Sequence, residues 1–315
     1  MKKIPLILNV DTGVDDALAI ALAAASEHVE LLAITTSFGG NTVEQTTGNT
    51  LRIAELLGLG VPVAVGAAGP LLSQTSERIL GSAAQGDDGL GNKSSLLPYP
   101  VMSPSEDGAV SVMEKAVTES EGGVVIISTG PLTNVAVFLL AHPDLKHKID
   151  GIAFSGGALY SGNVLPTVEA NVFRDPEAAQ IVLKSGVRLL ICGLEATEGA
   201  YMTFEDREHF KLAATRASAF LYEALYHYAD HYENLLLKEG SPLPDVVPVA
   251  WLIDPSVVAT EPYYVEIDLS GYYTRGATVA DVQKLWGKKP NAVLAVEVDR
   301  KKICSMVLEA LRTFR

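Results

Sequence analysis

The sequence predicts an α/β fold, in which helices flank a mostly parallel central sheet of the Rossmann-like type. Short apolar runs rich in branched residues alternate with helical patterns through the first two thirds of the 315-residue chain. Runs this apolar indicate strands that are covered on both faces. Strands that alternate with helices are typical of βα units, which build parallel sheets.

Six apolar runs predict the first strands, and the segments between them predict helices. The strand runs are residues 4–10, 31–36, 61–66, 124–129, 151–156 and 188–193. The helix candidates are residues 15–25, 43–57, 132–141 and 176–184. A helical segment rich in aromatic residues follows over 203–237, and the tail contains the apolar runs 263–270 and 291–299 and a final amphipathic helix. Because no repeat or low-complexity linker interrupts the pattern, we predict one domain over residues 1–315.

Charge and cysteine content limit the partners and the compartment. The formal net charge of −14 disfavours nucleic acid and anionic membrane surfaces, although an acidic surplus is also an ordinary aid to solubility. No uninterrupted apolar run has the length of a membrane span, and the N-terminus lacks the cleavage site of a signal peptide. Cys192 and Cys304 lie far apart in apolar surroundings, as buried thiols do. We therefore expect a cytoplasmic protein with no nucleic-acid or membrane partner.

A cluster of carboxylates follows the first predicted strand, in the segment NVDTGVDD (9–16). Asp11 lies at the strand end, and Asp15 and Asp16 open the next helix. Ligands of open α/β sheets bind at this edge. A single aspartate here is an ordinary helix cap, but three within six residues raise one another's pKa unless a cation compensates. Oxygen ligands favour calcium or magnesium over zinc, so the segment predicts a divalent metal site.

Several blocks of the sequence resemble the inosine-uridine preferring nucleoside hydrolases. NVDTGVDD is similar to the DxDPGxDD motif that opens that family. Further blocks follow in the family's order: NTVEQTTGN (41–49), DDGLG (87–91), TGPLTNVA (129–136), SGGA (155–158), GNVLPTVEANVFRDPEAA (162–179), PLPDVVPVA (242–250) and TRGATVAD (274–281). A single block would be a weak signal of the family. The whole set, in the family's order and through most of the chain, is a strong one.

The resemblance implies calcium-dependent hydrolysis of the N-glycosidic bond of ribonucleosides to free base and ribose. It implies that calcium is held by Asp11, Asp16, Asp245 and the backbone carbonyl of Thr129. The implied ribose contacts are Asp15, Asn41, Asn163, Glu169, Asn171 and Asp245. Asp11 would be the general base toward a calcium-bound water. The family also implies nucleoside salvage and a homodimer or homotetramer. Taken singly, Asn41 could instead cap a helix and Asn163 could serve a turn.

Five positions depart from the family pattern. Asn9 and Thr12 replace an aspartate and a proline of the opening motif, and Ala170 replaces a common phenylalanine. Gln85 and Pro244 stand where many members have histidines, one of which is implicated in protonating the leaving base. The leaving-group acid is therefore left open. Its candidates, each of which could equally serve packing, are Tyr222, Tyr226, His227, Tyr228, His231, Tyr232 and Trp251.

Two other functions are compatible with an acidic strand end. A phosphatase of the haloacid dehalogenase type needs its first aspartate as nucleophile, and this chain has Asn9 there. A riboside-binding or sensor protein with weak or no hydrolase activity is the stronger alternative. Ribose release with and without a chelator separates it from the hydrolase. The sequence does not specify the nucleobase.

Overall fold

The computed structural model describes residues 2–72 and 83–314. Within these ranges, eight strands form the main sheet. The strands are β1 (Ile4–Val10), β2 (Val29–Thr36), β3 (Val63–Val65), β4 (Val124–Ser128), β5 (Ile149–Ser155), β6 (Leu189–Cys192), β9 (Val258–Tyr263) and β12 (Ala292–Val298). Their order is β3-β2-β1-β4-β5-β6-β12-β9, and every neighbouring pair is parallel except β12 with β9.

Helices connect and cover these strands. They are α1 (Val14–Ala25), α2 (Val43–Leu56), α3 (Ala109–Glu119), α4 (Thr133–Ala141), α5 (Ala170–Arg174), α6 (Pro176–Leu183), α7 (Leu194–Thr197), α8 (Phe204–Glu208), α9 (Phe210–Ala213), α10 (Arg216–Asp230), α11 (Val246–Ile253) and α12 (Arg300–Thr313). Two short antiparallel ladders complete the described structure. They pair β7 (Tyr201–Met202) with β8 (Ser241–Pro242), and β10 (Val265–Ile267) with β11 (Thr278–Ala280).

Two apolar clusters cover the two faces of the sheet. Because side chains alternate along a strand, Leu8 of β1 points to one face and Ile7 to the other. Leu8 shares its cluster with residues of α1, α11 and α12, while Ile7 packs with residues of α3, α4 and α6. The predicted α/β architecture, a mostly parallel sheet flanked by helices, is therefore confirmed. None of the helices in the described ranges is both long and apolar enough to cross a membrane.

The strand order places a topological switch point at β1. Its neighbours are β2 on one side and β4 on the other, and the chain winds outward in both directions from there. Loops that leave the carboxyl ends of β1 and β4 consequently diverge and open a crevice, where ligands of such sheets bind. Asp11 directly follows β1, and Thr129 directly follows β4.

The tail differs in detail from the sequence expectation. The run 263–270 does not form one strand: the main sheet uses β9, which ends at Tyr263, and β10 pairs outside the sheet with β11. The physical reason is that β9 is an antiparallel edge strand whose four central residues are exposed, so it lacks an apolar signal. The aromatic segment is helical as predicted, and α10 continues into a π-helical turn at His231–Leu235.

Candidate active site

A polar cavity opens at the carboxyl ends of β1 and β4. All nine residues for which the sequence implied a site role line it: Asp11, Asp15, Asp16, Asn41, Thr129, Asn163, Glu169, Asn171 and Asp245. Gln85, Ala170 and Pro244, three of the positions that depart from the family pattern, line it as well. The fold therefore brings together residues that are separated by more than 200 positions in the chain.

The turn from β1 into α1 fixes Asp16. Its Oδ2 accepts a hydrogen bond from the backbone N–H of Gly13 at 2.8 Å, which caps the helix. Its Oδ1 accepts from the Oγ1 hydroxyl of Thr129 at 2.5 Å. The same carboxylate thus serves as a helix cap and joins the ends of β1 and β4 inside the cavity.

The Asp11 carboxylate is enclosed by backbone. Its Oδ2 accepts from the N–H of Gly40 at 2.9 Å. A Cβ on Gly39 would lie 1.7 Å from that oxygen, and a Cβ on Gly130 would lie 2.6 Å from Oδ1. Glycine is required at both positions because any side chain would collide with the carboxylate. Burial raises the pKa of Asp11, while the nearby Arg174 guanidinium opposes that rise.

Three buried carboxylates converge beside Asp11. Asp15, Asp16 and Asp245 each bring one oxygen to within 4.8 Å of the others. Burial, followed by repulsion from the neighbouring aspartates, raises the pKa of Asp16 and of Asp245 well above the usual range. Asp11 lines the same cavity but lies outside this group of three. A divalent cation would relieve the repulsion, and oxygen donors of this kind fit calcium or magnesium.

In another part of the cavity wall, backbone donors hold the Glu169 carboxylate. Oε1 accepts from the N–H of Asn171 at 2.9 Å, and Oε2 accepts from Gly157 at 3.0 Å and from Val172 at 3.1 Å. Burial raises the pKa of Glu169, and these hydrogen bonds counteract the rise. Asn163 accepts at Oδ1 from the N–H of Ala170 at 2.9 Å. This wall is therefore ordered by its own contacts before any ligand binds.

Asn171 links the carboxyl ends of β4 and β5. Its Nδ2 donates to the carbonyl oxygen of Thr129 at 2.6 Å and to that of Ser155 at 3.1 Å. Its Oδ1 accepts from Nη1 of Arg174 at 3.1 Å. The Thr129 carbonyl, which was implied to be a metal ligand, thus lies within the same hydrogen-bond network as the implied ribose contact.

Gln85 has a defined role despite replacing a family histidine. Its Nε2 donates to Oδ1 of Asp15 at 2.7 Å, and its Oε1 accepts from the N–H of Val14 at 2.6 Å. The side chain therefore caps the first turn of α1 and orients Asp15. Asn41 approaches the nearby DDGLG segment (87–91), where a Cβ on Gly89 would lie 2.6 Å from Asn41 Nδ2.

Two of the seven aromatic and histidine candidates line the cavity: Tyr228 and Tyr232. Their ring centroids are 4.9 Å apart, and the Tyr228 hydroxyl donates to the carbonyl of Pro242 at 2.9 Å. A longer contact of 3.4 Å joins it to Oδ2 of Asp15. Burial raises the pKa of Tyr232 to about 12 and that of Tyr228 well above its usual value.

The other five candidates do not line this cavity, namely Tyr222, Tyr226, His227, His231 and Trp251. Tyr222 donates its hydroxyl to Glu208, and Trp251 lines a separate apolar cavity with Ile4, the first residue of β1. The positions of α10, of the π-helical turn and of α11 thus reduce the candidates for the leaving-group acid from seven to two.

A partly buried ion pair holds the turn that carries Tyr232. Arg207 binds both carboxylate oxygens of Glu233, with Nη1 to Oε1 at 2.5 Å and Nη2 to Oε2 at 3.1 Å. The same Nη1 donates to Oγ of Ser241 at 3.1 Å, and Ser241 begins β8. Since the chain continues from β8 to Asp245, Arg207 joins the Tyr232 turn to the segment that supplies one of the three converging carboxylates.

Arg174 is the site residue that sequence reasoning missed. It is the last residue of α5, its side chain is 12% exposed, and Nη1 lies 4.0 Å from Oδ2 of Asp11. It is the one cationic side chain among the described residues that line the cavity. An isolated arginine in FRDPEAA carries no signal of its own, because its direction depends on how α5 ends.

The fold and the site define an α/β enzyme with a carboxylate-rich ligand cavity at the switch point of its sheet. The family model described as inosine-uridine preferring nucleoside hydrolase matches residues 6–305. The chain belongs to this family and is a hydrolase of N-glycosyl bonds.

Relatives agree with this assignment. The pyrimidine-specific ribonucleoside hydrolase RihA of Escherichia coli O1:K1 is 39% identical over 313 residues, which cover 99% of each chain. The solved structure of a purine-preferring ribonucleoside hydrolase from Gardnerella vaginalis is 32% identical, with a TM-score of 0.88 and 98% of each chain covered. The plant nucleoside hydrolase PpNRh1 is 29% identical, with a TM-score of 0.89 and 99% of each chain covered. These relatives support ribonucleoside hydrolysis and do not favour the riboside-sensor alternative.

Proposed function

We propose that this protein catalyses calcium-dependent hydrolysis of ribonucleosides to free base and ribose. The observation that carries the proposal is the convergence of the implied metal ligands and ribose contacts in one cavity at the switch point. Asp11, Asp16, Asp245 and the Thr129 carbonyl would hold the calcium, and Asp15 lies close enough to share the charge. When bound, calcium would supply a Lewis acid that favours water ionisation and binds sugar hydroxyls.

Asp11 is the proposed general base. Its carboxylate is oriented by the N–H of Gly40 and lies close to the backbone at Gly39 and Gly130, where a Cβ would collide with its oxygens. A fixed carboxylate is suited to accept the proton of the attacking water. Cleavage at C1′ develops positive charge on the ribose ring, as in other glycosidases. The surrounding carboxylates of Asp15, Asp16, Glu169 and Asp245 stabilise that charge.

The ribose would be held by Asp15, Asn41, Asn163, Glu169, Asn171 and Asp245. Glu169 and Asn171 are already ordered by backbone hydrogen bonds, so little conformational freedom remains to be lost when the sugar binds. Asp15 is likewise oriented by Gln85. A sugar whose hydroxyls match these acceptors is bound well, whereas a sugar that lacks one leaves a buried polar group unpaired.

On the base side, Tyr228 and Tyr232 are the proposed contacts of the leaving group. Gln85 has no acidic proton, and Pro244 has no side-chain donor at all. The Tyr228 hydroxyl is already used by Pro242 and Asp15, so Tyr232 is the better candidate to face the base. The Tyr232 hydroxyl can donate a hydrogen bond, but with its pKa raised to about 12 it transfers its proton poorly. The protein therefore gives only weak assistance to protonation of the departing base.

We propose that pyrimidine ribonucleosides are substrates, because RihA, which is named as pyrimidine-specific, is 39% identical to this chain. The test is release of free ribose from uridine, cytidine and inosine by purified protein, with calcium, after chelation, and after calcium is restored. We expect release that chelation abolishes and calcium restores. Ribosides that bind without any ribose release would instead support the sensor, and release that chelation leaves unchanged would refute the calcium site.

We further propose a cytoplasmic role in nucleoside salvage, as a homodimer or homotetramer. The family resemblance supports the assembly and the salvage role. Both cysteines, Cys192 and Cys304, are buried and unpaired, as suits a reducing compartment. Light scattering coupled to size-exclusion chromatography measures the assembly directly, and a monomeric mass at micromolar concentration would contradict it.

A further inference from the structure

The Arg174 guanidinium is built into the wall of the cavity. Nη1 reaches Oδ1 of Asn171 at 3.1 Å and lies 4.0 Å from Oδ2 of Asp11. Nε is buried and has no hydrogen-bond partner. The side chain is thus held by its surroundings, with donors left over that no described group uses.

The contact with Asp11 is electrostatic. A separation of 4.0 Å exceeds the length of an N–H···O hydrogen bond, and Oδ2 of Asp11 is already bonded to Gly40. A fixed positive charge at that distance nevertheless attracts the carboxylate, and it favours the orientation in which Oδ2 faces both Arg174 and the N–H of Gly40. The other oxygen is left on the side of Gly130, since a Cβ there would meet Oδ1.

The contact with Asn171 reinforces the orientation of its amide. Because Arg174 can only donate, it fixes Oδ1 of Asn171 toward itself. The Nδ2 group then points to the carbonyls of Thr129 and Ser155. Without Arg174, Oδ1 of Asn171 would lose this partner, and the orientation of the amide would depend on the two carbonyl contacts of Nδ2 alone.

A fixed cation next to Asp11 also opposes a second cation at the same place. The proposed metal ligands include Asp11, so the charge of Arg174 repels the metal while it attracts the ligand. A residue that merely stabilised the fold would support both metal binding and turnover. Arg174 is expected to affect them in opposite directions.

We propose that Arg174 is a positioning residue that orients the Asp11 carboxylate and the Asn171 amide for hydrolysis, and that its charge weakens binding of the metal. This inference rests on the proposed function. It concerns a residue that contacts two members of the site from outside the converging carboxylates.

The test compares Arg174→Met and Arg174→Lys with the native protein, and uses Arg188→Met as the control. Methionine keeps the length and apolar stem of arginine without its charge, and lysine keeps the charge without the planar fork. Arg188 is exposed, precedes β6 at the opposite end of the sheet and donates to the carbonyl of Asp150. Calcium affinity of metal-free protein is measured by calorimetry with calcium chloride, and kcat and KM are measured on uridine.

We expect Arg174→Met to bind calcium about tenfold more tightly, because a like charge has gone, and to lose about tenfold or more in kcat. Arg174→Lys should keep the native calcium affinity within about twofold while kcat still falls. Arg188→Met should change neither quantity.

Unchanged or weaker calcium binding in Arg174→Met would overturn the inference, as would an unchanged kcat. If that variant does not fold, Arg174→Lys decides alone: a native kcat, or a changed calcium affinity, refutes the role. A native protein that binds no calcium would refute the proposed metal site, and this inference with it. Native binding with no response to Arg174 refutes the inference only.

Discussion

Nε2 of Gln85 lies 2.7 Å from Oδ1 of Asp15, while Oε1 of the same side chain accepts from the N–H of Val14. One glutamine therefore caps α1 and turns a site carboxylate toward the cavity. Many members of the family have histidine at this position. Gln85 therefore replaces an ionisable side chain by a fixed hydrogen-bond bridge.

Replacing this bridge should harm substrate binding more than folding. We expect Gln85→Met to lower kcat/KM for uridine by about tenfold or more, because Asp15 loses its orienting donor. The control is Gln180→Met, because Gln180 makes the same two kinds of bond, to Ile267 N–H and to Glu266, away from the cavity. Equal kinetic losses in the two variants would show that Gln85 acts only on stability.

Removing the proposed base should abolish turnover without unfolding the protein. Asp11→Asn keeps the shape of the side chain but cannot accept the proton from water, so kcat should fall by about a thousandfold or more. Asp299→Asn, which alters only the cap of α12, should leave kcat near the native value. Circular dichroism and steady-state kinetics on both variants provide the check, and native-like turnover in Asp11→Asn would exclude Asp11 as the base.

The sugar pocket should discriminate strongly against deoxyribose. With the 2′-hydroxyl gone, the buried acceptors around it are left unpaired, and kcat/KM should fall by about a thousandfold. Parallel assays of uridine and 2′-deoxyuridine measure this ratio. Comparable rates on the two nucleosides would contradict the proposed ribose contacts.

An activated leaving group should bypass the weak base side. The leaving group of p-nitrophenyl riboside is p-nitrophenolate, which departs as an anion without a proton donor. This substrate should therefore be cleaved about a hundred- to ten-thousandfold faster than uridine, the factor that general acid assistance usually contributes. Tyr232→Phe should slow uridine further and leave the activated substrate nearly unchanged, while Tyr226→Phe, on an exposed residue of α10, should affect neither. Uridine turnover as fast as that of the activated substrate would mean that an efficient acid exists in the site.

Metal should stabilise the fold as well as support turnover. We expect about one calcium per chain in the purified protein, and a lower Tm after chelation, because a ligand that binds the native state alone stabilises it. Asp245→Asn should reduce the shift in Tm that added calcium produces, since one of the three converging carboxylates is lost. Metal analysis and thermal unfolding with and without calcium test this prediction. A Tm that does not change when calcium is added would argue against the proposed calcium site.

The sequence predicted the sheet and its acidic edge because both depend on local signals. The runs that become β1 and β4 are apolar on both faces, and Asp11 and Thr129 follow them directly. Strand β9 escaped prediction because, as an edge strand, it exposes most of its residues. The ordered blocks of family resemblance identified the nine residues with implied site roles, all of which line the cavity.

What sequence could not supply is the direction of single side chains. Tyr228 and Tyr232 are four residues apart and so share one helical face, but which face meets the cavity is decided by the packing of α10 against α1. Arg174 turns toward Asp11 because α5 stops after five residues, where Asp175 caps the N-terminus of α6. Neither outcome is encoded in a short stretch of residues.

The two halves of the cavity are anchored differently. Asp11 and Thr129 stand on the buried ends of sheet strands, whereas Tyr232 stands on a helical turn held by the Arg207–Glu233 pair and one contact to Ser241. The residues proposed for the sugar chemistry thus stand mainly on strand ends, whereas the proposed base contact stands on a peripheral turn, which Arg207 joins to the segment that carries Asp245. Under the proposed roles, a substitution on this turn would change which nucleobase is accepted and leave the strand ends that carry Asp11 and Thr129 untouched.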